Sequence, residues 1–327
     1  MTARIWVLAF IAVVVFGGLW TATHGVAGVH WAEVGTALRG VTAWQLLRLT
    51  LVWLGGLVIY STVLAAALPG VGVRRCLLLN LSGSAVANVV PLGGAVATAL
   101  NWRMVRSWGH SDVAFVTFCV LTNALDVLSK LLLPAVGVAA LVAVSAHVPT
   151  LLWLVAGSCL AAALVVVLLH AHLVGHGGRP AGSPHRRVAA VRLRLHESAT
   201  RIHAVLTGGW SRLLPGSVCY VAAQVVLLWL CLRAVGLDPS LGVVLMAAAV
   251  ERIGSLVPVT PAGTGIAEIG AVAWLVAAGL DPASVVAGVL LYRIFLVLME
   301  IPVGGLLLGA WAWLQRGAGA RAGRVPA

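Results

Sequence analysis

The chain has 327 residues, of which 61% are hydrophobic and only 9% charged, and it carries a formal net charge of +12. Soluble domains carry charge on about a quarter of their residues, so this composition excludes water as the main solvent. The basic residues stand between apolar runs rather than on one compact face, which argues against nucleic acid as a partner.

Crossing the hydrocarbon core takes ~20 apolar residues, and six stretches are long enough: 5–22, 44–68, 113–144, 151–170, 213–235 and 283–314. The first follows Arg4 and reads as a retained span rather than a cleaved signal. Between the second and third lies an apolar region, 76–107, broken near its middle by Pro91, Gly93 and Gly94. The third stretch carries Asp126 and Lys130, four residues apart in the acid-to-base order that favours a structural ion pair within one helix. After the fourth, His170, His172 and His176 stand at a membrane exit with no acidic or cysteine ligand beside them, so neither a metal nor another cofactor is expected. Residues 179–210 form a basic cytoplasmic linker with Val188, Val191, Leu195, Ile202 and Val205 at helical spacing, suited to the surface of an anionic membrane. A second interrupted region, 241–279, contains Pro258, Pro261, Gly263 and Gly265.

Basic residues gather on the cytoplasmic side of membrane proteins. One orientation places 15 of them inside, from Arg4 through the seven arginines between Arg179 and Arg212 to Arg324, and leaves Arg39, Arg48 and Arg233 outside. Both termini are then cytoplasmic. Region 76–107, flanked by Arg74, Arg75, Arg103 and Arg106, enters and leaves on the inside, whereas region 241–279 does so on the outside. Reading them instead as Pro-kinked full crossings would put an Arg-rich loop outside. A constant offset of 170 residues superposes the two regions, pairing Pro69 with Pro239, Gly72 with Gly242, Pro91 with Pro261, Gly93 with Gly263 and Gly109 with Gly279. The expected fold is all-α: a polytopic membrane protein of about six full transmembrane helices plus two re-entrant helical hairpins in an inverted repeat. The single transmembrane domain spans 1–327, with repeat one near 44–145 and repeat two near 213–315.

Charge inside a membrane segment is expensive and marks either pairing or function. The second hairpin concentrates it. Glu251 and Arg252 precede the break, Thr260 lies within it and Glu268 follows, while the next span adds Arg293 and Glu300, seven residues apart and so on one helical face. A half-helix beginning after Pro261 aims its amide groups at the break and favours an anion there. Arg252, Glu268, Arg293, Glu300 and Thr260 are therefore candidate substrate-binding residues, with Arg293 as the phosphate-binding fork and Glu268 and Glu300 as the carboxylates available to the arginines. From the first hairpin Asn88 joins a gate or half-site. The competing reading is a set of Arg–Glu pairs that only hold the hairpins together.

The run from Arg252 to Glu268, with Pro258, Pro261, Gly263, Gly265 and Glu268 in place and Tyr292-Arg293 after it, resembles the signature of the lysylphosphatidylglycerol synthase transmembrane family, the lipid-flipping half of multiple peptide resistance factors. Asn88-Val-Val-Pro91-Leu-Gly93-Gly94 also fits, and the similarity extends over 46–314. The resemblance implies a lipid translocase in the bacterial cytoplasmic membrane, whose hairpins enclose a headgroup site. Two departures narrow what it implies. The soluble aminoacyl-transfer domain is absent, which removes lipid synthesis from the expected activity. Asn123 stands where relatives often carry Arg, which leaves open whether the aminoacylated lipid is the substrate.

The expected function is movement of a phospholipid, aminoacyl-phospholipid or lipid-linked sugar across the membrane, without enzymatic activity. Anionic or polyprenyl-linked membrane lipids are the expected partners, beside a second copy of the chain or a lipid-synthesising enzyme. The rivals are a membrane enzyme or subunit acting on polyprenyl phosphates and a secondary transporter of a small anion. A lateral opening to lipid separates the flippase from the carrier.

Overall fold

The computed structural model describes residues 29–90, 93–144, 148–176, 186–256 and 265–322, with the helical path alone for stretches such as 169–176, 186–201 and 316–322. The described elements are α1 (Trp31–Arg39), α2 (Ala43–Ala67), α3 (Val73–Val89), α4 (Gly93–Ser107), α5 (Asp112–Val144), α6 (Thr150–His176), α7 (Arg186–Ala234), α8 (Leu241–Gly254), α9 (Ile266–Ala277), α10 (Pro282–Arg293), a π-helical turn (Ile294–Leu298) and α11 (Glu300–Ala322). Five spans are long and apolar enough to cross a membrane: Ala43–Ala67, Asp112–Ala143, Thr150–Leu168, Gly208–Ala234 and Pro282–Gln315, the last formed by α10, the π turn and α11 together. They match five of the six predicted stretches to within a few residues. The sixth, 5–22, lies outside the described residues.

Local chemistry sets the helix ends. Thr42 caps α2 reciprocally with Gln45, whose Oε1 accepts the Thr42 backbone N–H at 2.7 Å. At the start of α2 and the end of α7 the guanidinium groups of Arg48 and Arg233 lie over the rings of Trp44 and Trp229, one helical turn away, as suits a membrane interface. α6 faces outward over Thr150–Leu168, with Leu151 and Leu154 exposing 68% and 66% of their surface, which only lipid makes tolerable. α7 is one helix of 49 residues, about 73 Å long at ~1.5 Å per residue. The helix expected in the linker at 179–210 is therefore continuous with the span that follows it, because no Gly or Pro before Pro215 interrupts its backbone ladder enough to end it.

Both interrupted regions are helical hairpins. Their arms have 17 and 15 residues in the first and 14 and 12 in the second, so at ~1.5 Å per residue none reaches the ~30 Å of the hydrocarbon core. At the first break, a Cβ on Gly93 would overlap the backbone of Ala87, so the returning arm starts where only glycine fits. Pro91 lies outside the described residues, as do Pro258, Thr260, Pro261 and Gly263 of the second break. The second hairpin resumes at Gly265, whose φ of 102° is a glycine conformation.

The 170-residue offset reappears in the geometry. The second arms end at Ser107 and Ala277, Gly109 and Gly279 follow with φ of 86° and 85°, and new helices begin at Asp112 and Pro282. Ser111 and Asp281 cap those helices alike, accepting the backbone N–H of Ala114 and Ser284. The repeats interlock. α3 packs on α11, where Gly304 lets the backbone of Leu81 approach closely, while α8 packs on α5, where Gly137 admits Met246 and Gly242 admits Leu141. Each hairpin thus leans on the long span of the other repeat, and the repeat-related spans α2 and α7 pack on each other between them.

Candidate functional site

α8 ends at the break with two consecutive charges, Glu251 and Arg252, both buried. Neighbours on a helix project ~100° apart, so they reach different walls. Arg252 Nη2 lies 3.1 Å from Asp126 Oδ1 and 3.1 Å from Ser129 Oγ on α5, and its Nη1 donates to Gln224 Oε1 on α7. Asp126 turns its other oxygen to Lys130 Nζ, 2.8 Å away. On the opposite side, Arg293 Nη2 lies 3.0 Å from Glu251 Oε1 and Arg293 Nε 2.8 Å from Glu268 Oε1. Both contacts of Arg293 are ionic, since its N–H groups do not point squarely at the oxygens. Glu268 Oε2 accepts the backbone N–H of Gly265 at 2.6 Å, tying the start of α9 to α10.

Three basic and three acidic side chains therefore form two linked sets with no net charge: Arg252, Asp126 and Lys130, and Arg293, Glu251 and Glu268. An unpaired Arg at this depth would be unfavourable by at least ~2.5 kcal/mol, and mutual neutralisation removes that penalty. The cluster is asymmetric with respect to the repeat. Subtracting 170 from 251, 252, 268 and 293 gives Leu81, Ser82, Thr98 and Asn123, so the first repeat places no charge where the second places four.

The structure changes two expected pairings. Arg293 does not pair with Glu300, because the intervening segment is a π turn, closed by the Met299 N–H donating to the Ile294 carbonyl at 2.8 Å. A wider turn puts residues seven apart on different faces. Glu300 instead has the Ser84 hydroxyl of α3 as its hydrogen-bonding neighbour. Arg252, in turn, pairs with Asp126 rather than Glu268, so the Asp126–Lys130 pair belongs to the polar centre and is not an isolated brace. Asn88 lies half-buried near the end of α3, and Gly94 opens the second arm beside Gly93. The sequence reading missed Glu251, Gln224, Ser129, Tyr60 and Tyr220. Tyr220 and Gln224, polar and four apart in an apolar span, were the visible signal: Gln224 Nε2 donates to the Tyr220 hydroxyl at 2.6 Å.

Arg252 also faces a small cavity of about 20 Å³ lined by Tyr60, Thr122, Asp126, Ser129 and Tyr220 among others. The rings of Tyr60 and Tyr220 stack at 4.4 Å along one wall. Leu125, Ser129, Ser217 and Val221 are shared with a second, apolar cavity of about 430 Å³ between α5, α7 and the start of α8. Its outer lining, including Leu132, Val136, Leu214 and Val218, is exposed on the lipid-facing surface. A polar pocket thus continues sideways into an apolar groove. A third cavity, about 20 Å³, lies beyond Tyr220 and Gln224 and holds Glu300 and Trp53.

Among curated proteins none matches the sequence. The model of one family, described as the lysylphosphatidylglycerol synthase TM region, matches residues 5–304. That match takes in both hairpins, the six-charge cluster and all five described spans but for the last turns of α11. The chain is a polytopic membrane protein that belongs to the lysylphosphatidylglycerol synthase TM region family.

Proposed function

We propose that the protein is a lipid translocase and that Arg252 receives the phosphate of the headgroup. The observation that carries this reading is the continuity of the Arg252 pocket with the apolar groove between α5 and α7. A ligand that satisfies both is amphipathic, with an anionic head and a chain lying along Leu132, Val136 and Val218. A small soluble anion has no use for the groove. The headgroup role falls to Arg252 and not Arg293, because Arg252 lines the pocket whereas Arg293 is held by two carboxylates away from it.

The chemistry of exchange follows from the shared carboxylate. Asp126 sits between Arg252 and Lys130, so a phosphate that takes over the Arg252 fork leaves Asp126 neutralised by Lys130. In both states Arg252 and Asp126 each have an opposite charge beside them. Transport without catalysis, a cytoplasmic-membrane location with both termini inside, and repeats near 44–145 and 213–315 flanking a linker at 179–210 complete the proposal. Partners beyond lipid would be a second copy of the chain or a lipid-synthesising enzyme.

The test is exchange of headgroup-labelled phosphatidylglycerol between the leaflets of reconstituted vesicles, followed by an impermeant quencher. Arg252→Gln removes the charged fork and Val218→Trp fills the groove, and both should slow exchange by tenfold or more while the purified proteins stay folded. Full-rate exchange in both variants refutes the site. Uptake of inorganic phosphate without lipid exchange would assign the protein to small-anion carriers instead.

A further inference from the structure

Glu300 stands just past the middle of the 34-residue rod Pro282–Gln315, and it is the acidic side chain of that rod with no cation at ion-pair distance among the described residues. Its surroundings come from four elements: Ser84 on α3, Trp53 and Gly56 on α2, Tyr220 and Gln224 on α7, and Leu296 in the π turn. Trp53 is 5% exposed, and its indole N–H has no partner. A buried donor left unsatisfied calls for a polar occupant, and a cavity of about 20 Å³ accommodates one water-sized species. The titratable groups that sense this carboxyl are Tyr60 from α2 and Tyr220 from α7; Arg252 from α8 acts on both tyrosines and Asp126 from α5 on Tyr60, with Arg293 on Glu300's own rod turned away by the π helix. From α3 its hydrogen-bonding neighbour is Ser84.

Tyr220 and Gln224 form the partition between this cavity and the Arg252 pocket, and they are bonded in series. Arg252 donates to Gln224 Oε1, and Gln224 Nε2 donates to the Tyr220 hydroxyl, whose ring borders both cavities. Gln224 has both its polar atoms engaged, which leaves Glu300 too few oxygen neighbours to dehydrate a metal cation. A proton needs only the carboxyl.

We propose that Glu300 is a proton-binding site whose proton travels with the lipid anion received at Arg252, making the movement an electroneutral symport. This rests on the translocase reading. The charge count gives the direction of coupling. The six-charge cluster is neutral, so an arriving phosphate brings one uncompensated negative charge into the centre, and an ionised Glu300 would bring a second. Neutralising Glu300 as the anion binds keeps the low-dielectric centre at one excess charge instead of two. The Gln224–Tyr220 chain links the two events, because phosphate at Arg252 withdraws the donor that Gln224 accepts from.

The first measurement is an infrared titration of the full chain in lipid nanodiscs. A protonated-carboxyl C=O band that vanishes as pH rises should be present in the native protein, retained in Glu300→Asp and missing in Glu300→Gln. Absence of any Glu300-dependent band overturns the site, whatever the transport result. The second uses vesicles containing labelled phosphatidylglycerol under an imposed pH gradient. One proton per lipid gives about a tenfold leaflet ratio per pH unit, with lipid enriched in the leaflet facing the alkaline side and no response to a potassium-diffusion potential. Exchange that ignores the pH gradient, or that follows the potential, overturns the coupling while leaving the translocase reading intact. Accumulation that persists in Glu300→Gln overturns the assignment to this residue. Complete absence of exchange in the native protein refutes both the translocase and the symport.

Discussion

Replacing Arg293 by Gln leaves Glu251 and Glu268 facing each other without their common cation. Their side chains are 9% and 7% exposed, so water does little to screen them. The two contacts, 3.0 and 2.8 Å, reach neighbouring nitrogens of one guanidinium, so without it two like charges face each other at close range with little screening. Breaking a buried pair typically costs about 3–5 kcal/mol, a range that includes this repulsion and the stranded desolvation. The expected loss is therefore about 3–5 kcal/mol, read as thermal or denaturant-induced unfolding in detergent. Adding Glu251→Gln and Glu268→Gln makes the set neutral, and the triple variant should recover most of the stability, because amides of the same shape need no counter-ion. Lipid exchange should return with it, since Arg252 remains. A loss below about 1 kcal/mol in Arg293→Gln refutes the brace, and a triple variant that folds but exchanges no lipid returns Arg293 to the substrate site.

Gly93→Val should destabilise the first hairpin by about 1–3 kcal/mol or more, because the new Cβ meets backbone of Ala87 that cannot yield, whereas Gly94→Ala, with open space at its Cβ, should be neutral. Equal melting temperatures for the two variants would show that the arms do not approach so closely. Asp281 caps α10 by accepting the Ser284 backbone N–H, and that bond holds its carboxyl below the usual aspartate range. The stability it lends is thus present above the ordinary aspartate value of ~3.9 and is lost as pH falls through the lowered one. Asp281→Ala should cost about 1 kcal/mol at neutral pH, with the gap to the native protein closing in acid. A gap that stays constant with pH would show that the cap's charge contributes nothing.

The spans were legible because length and apolarity are direct properties of sequence, and the repeat was legible because Gly109, Gly279 and the residues that follow them fix backbone geometry one position at a time. Partnerships were less so. The expected Arg293–Glu300 face assumed a uniform α-helix, but the π turn at Ile294–Leu298 adds about one residue of rotation, ~100°, between them. No residue type in Ile-Phe-Leu-Val-Leu announces that turn. The Asp126–Lys130 pair is present, but a carboxylate has two oxygens, and local spacing reveals the partner four residues away but not Arg252, 126 positions on. Gln224 and Tyr220 carried a signal that charge-based reasoning passed over.

The crossed seating of the hairpins bears on how the protein is made. α3 takes its final place against α11, with Leu81 against Gly304, so the residue that seats Leu81 is synthesised 223 residues after it. Until α11 emerges, the face of α3 that seats Gly304 lacks that partner. Six further helices are added before that partner exists. A chain stopped before residue 304 therefore lacks the surface on which α3 seats, and the final packing of the first hairpin waits on α11.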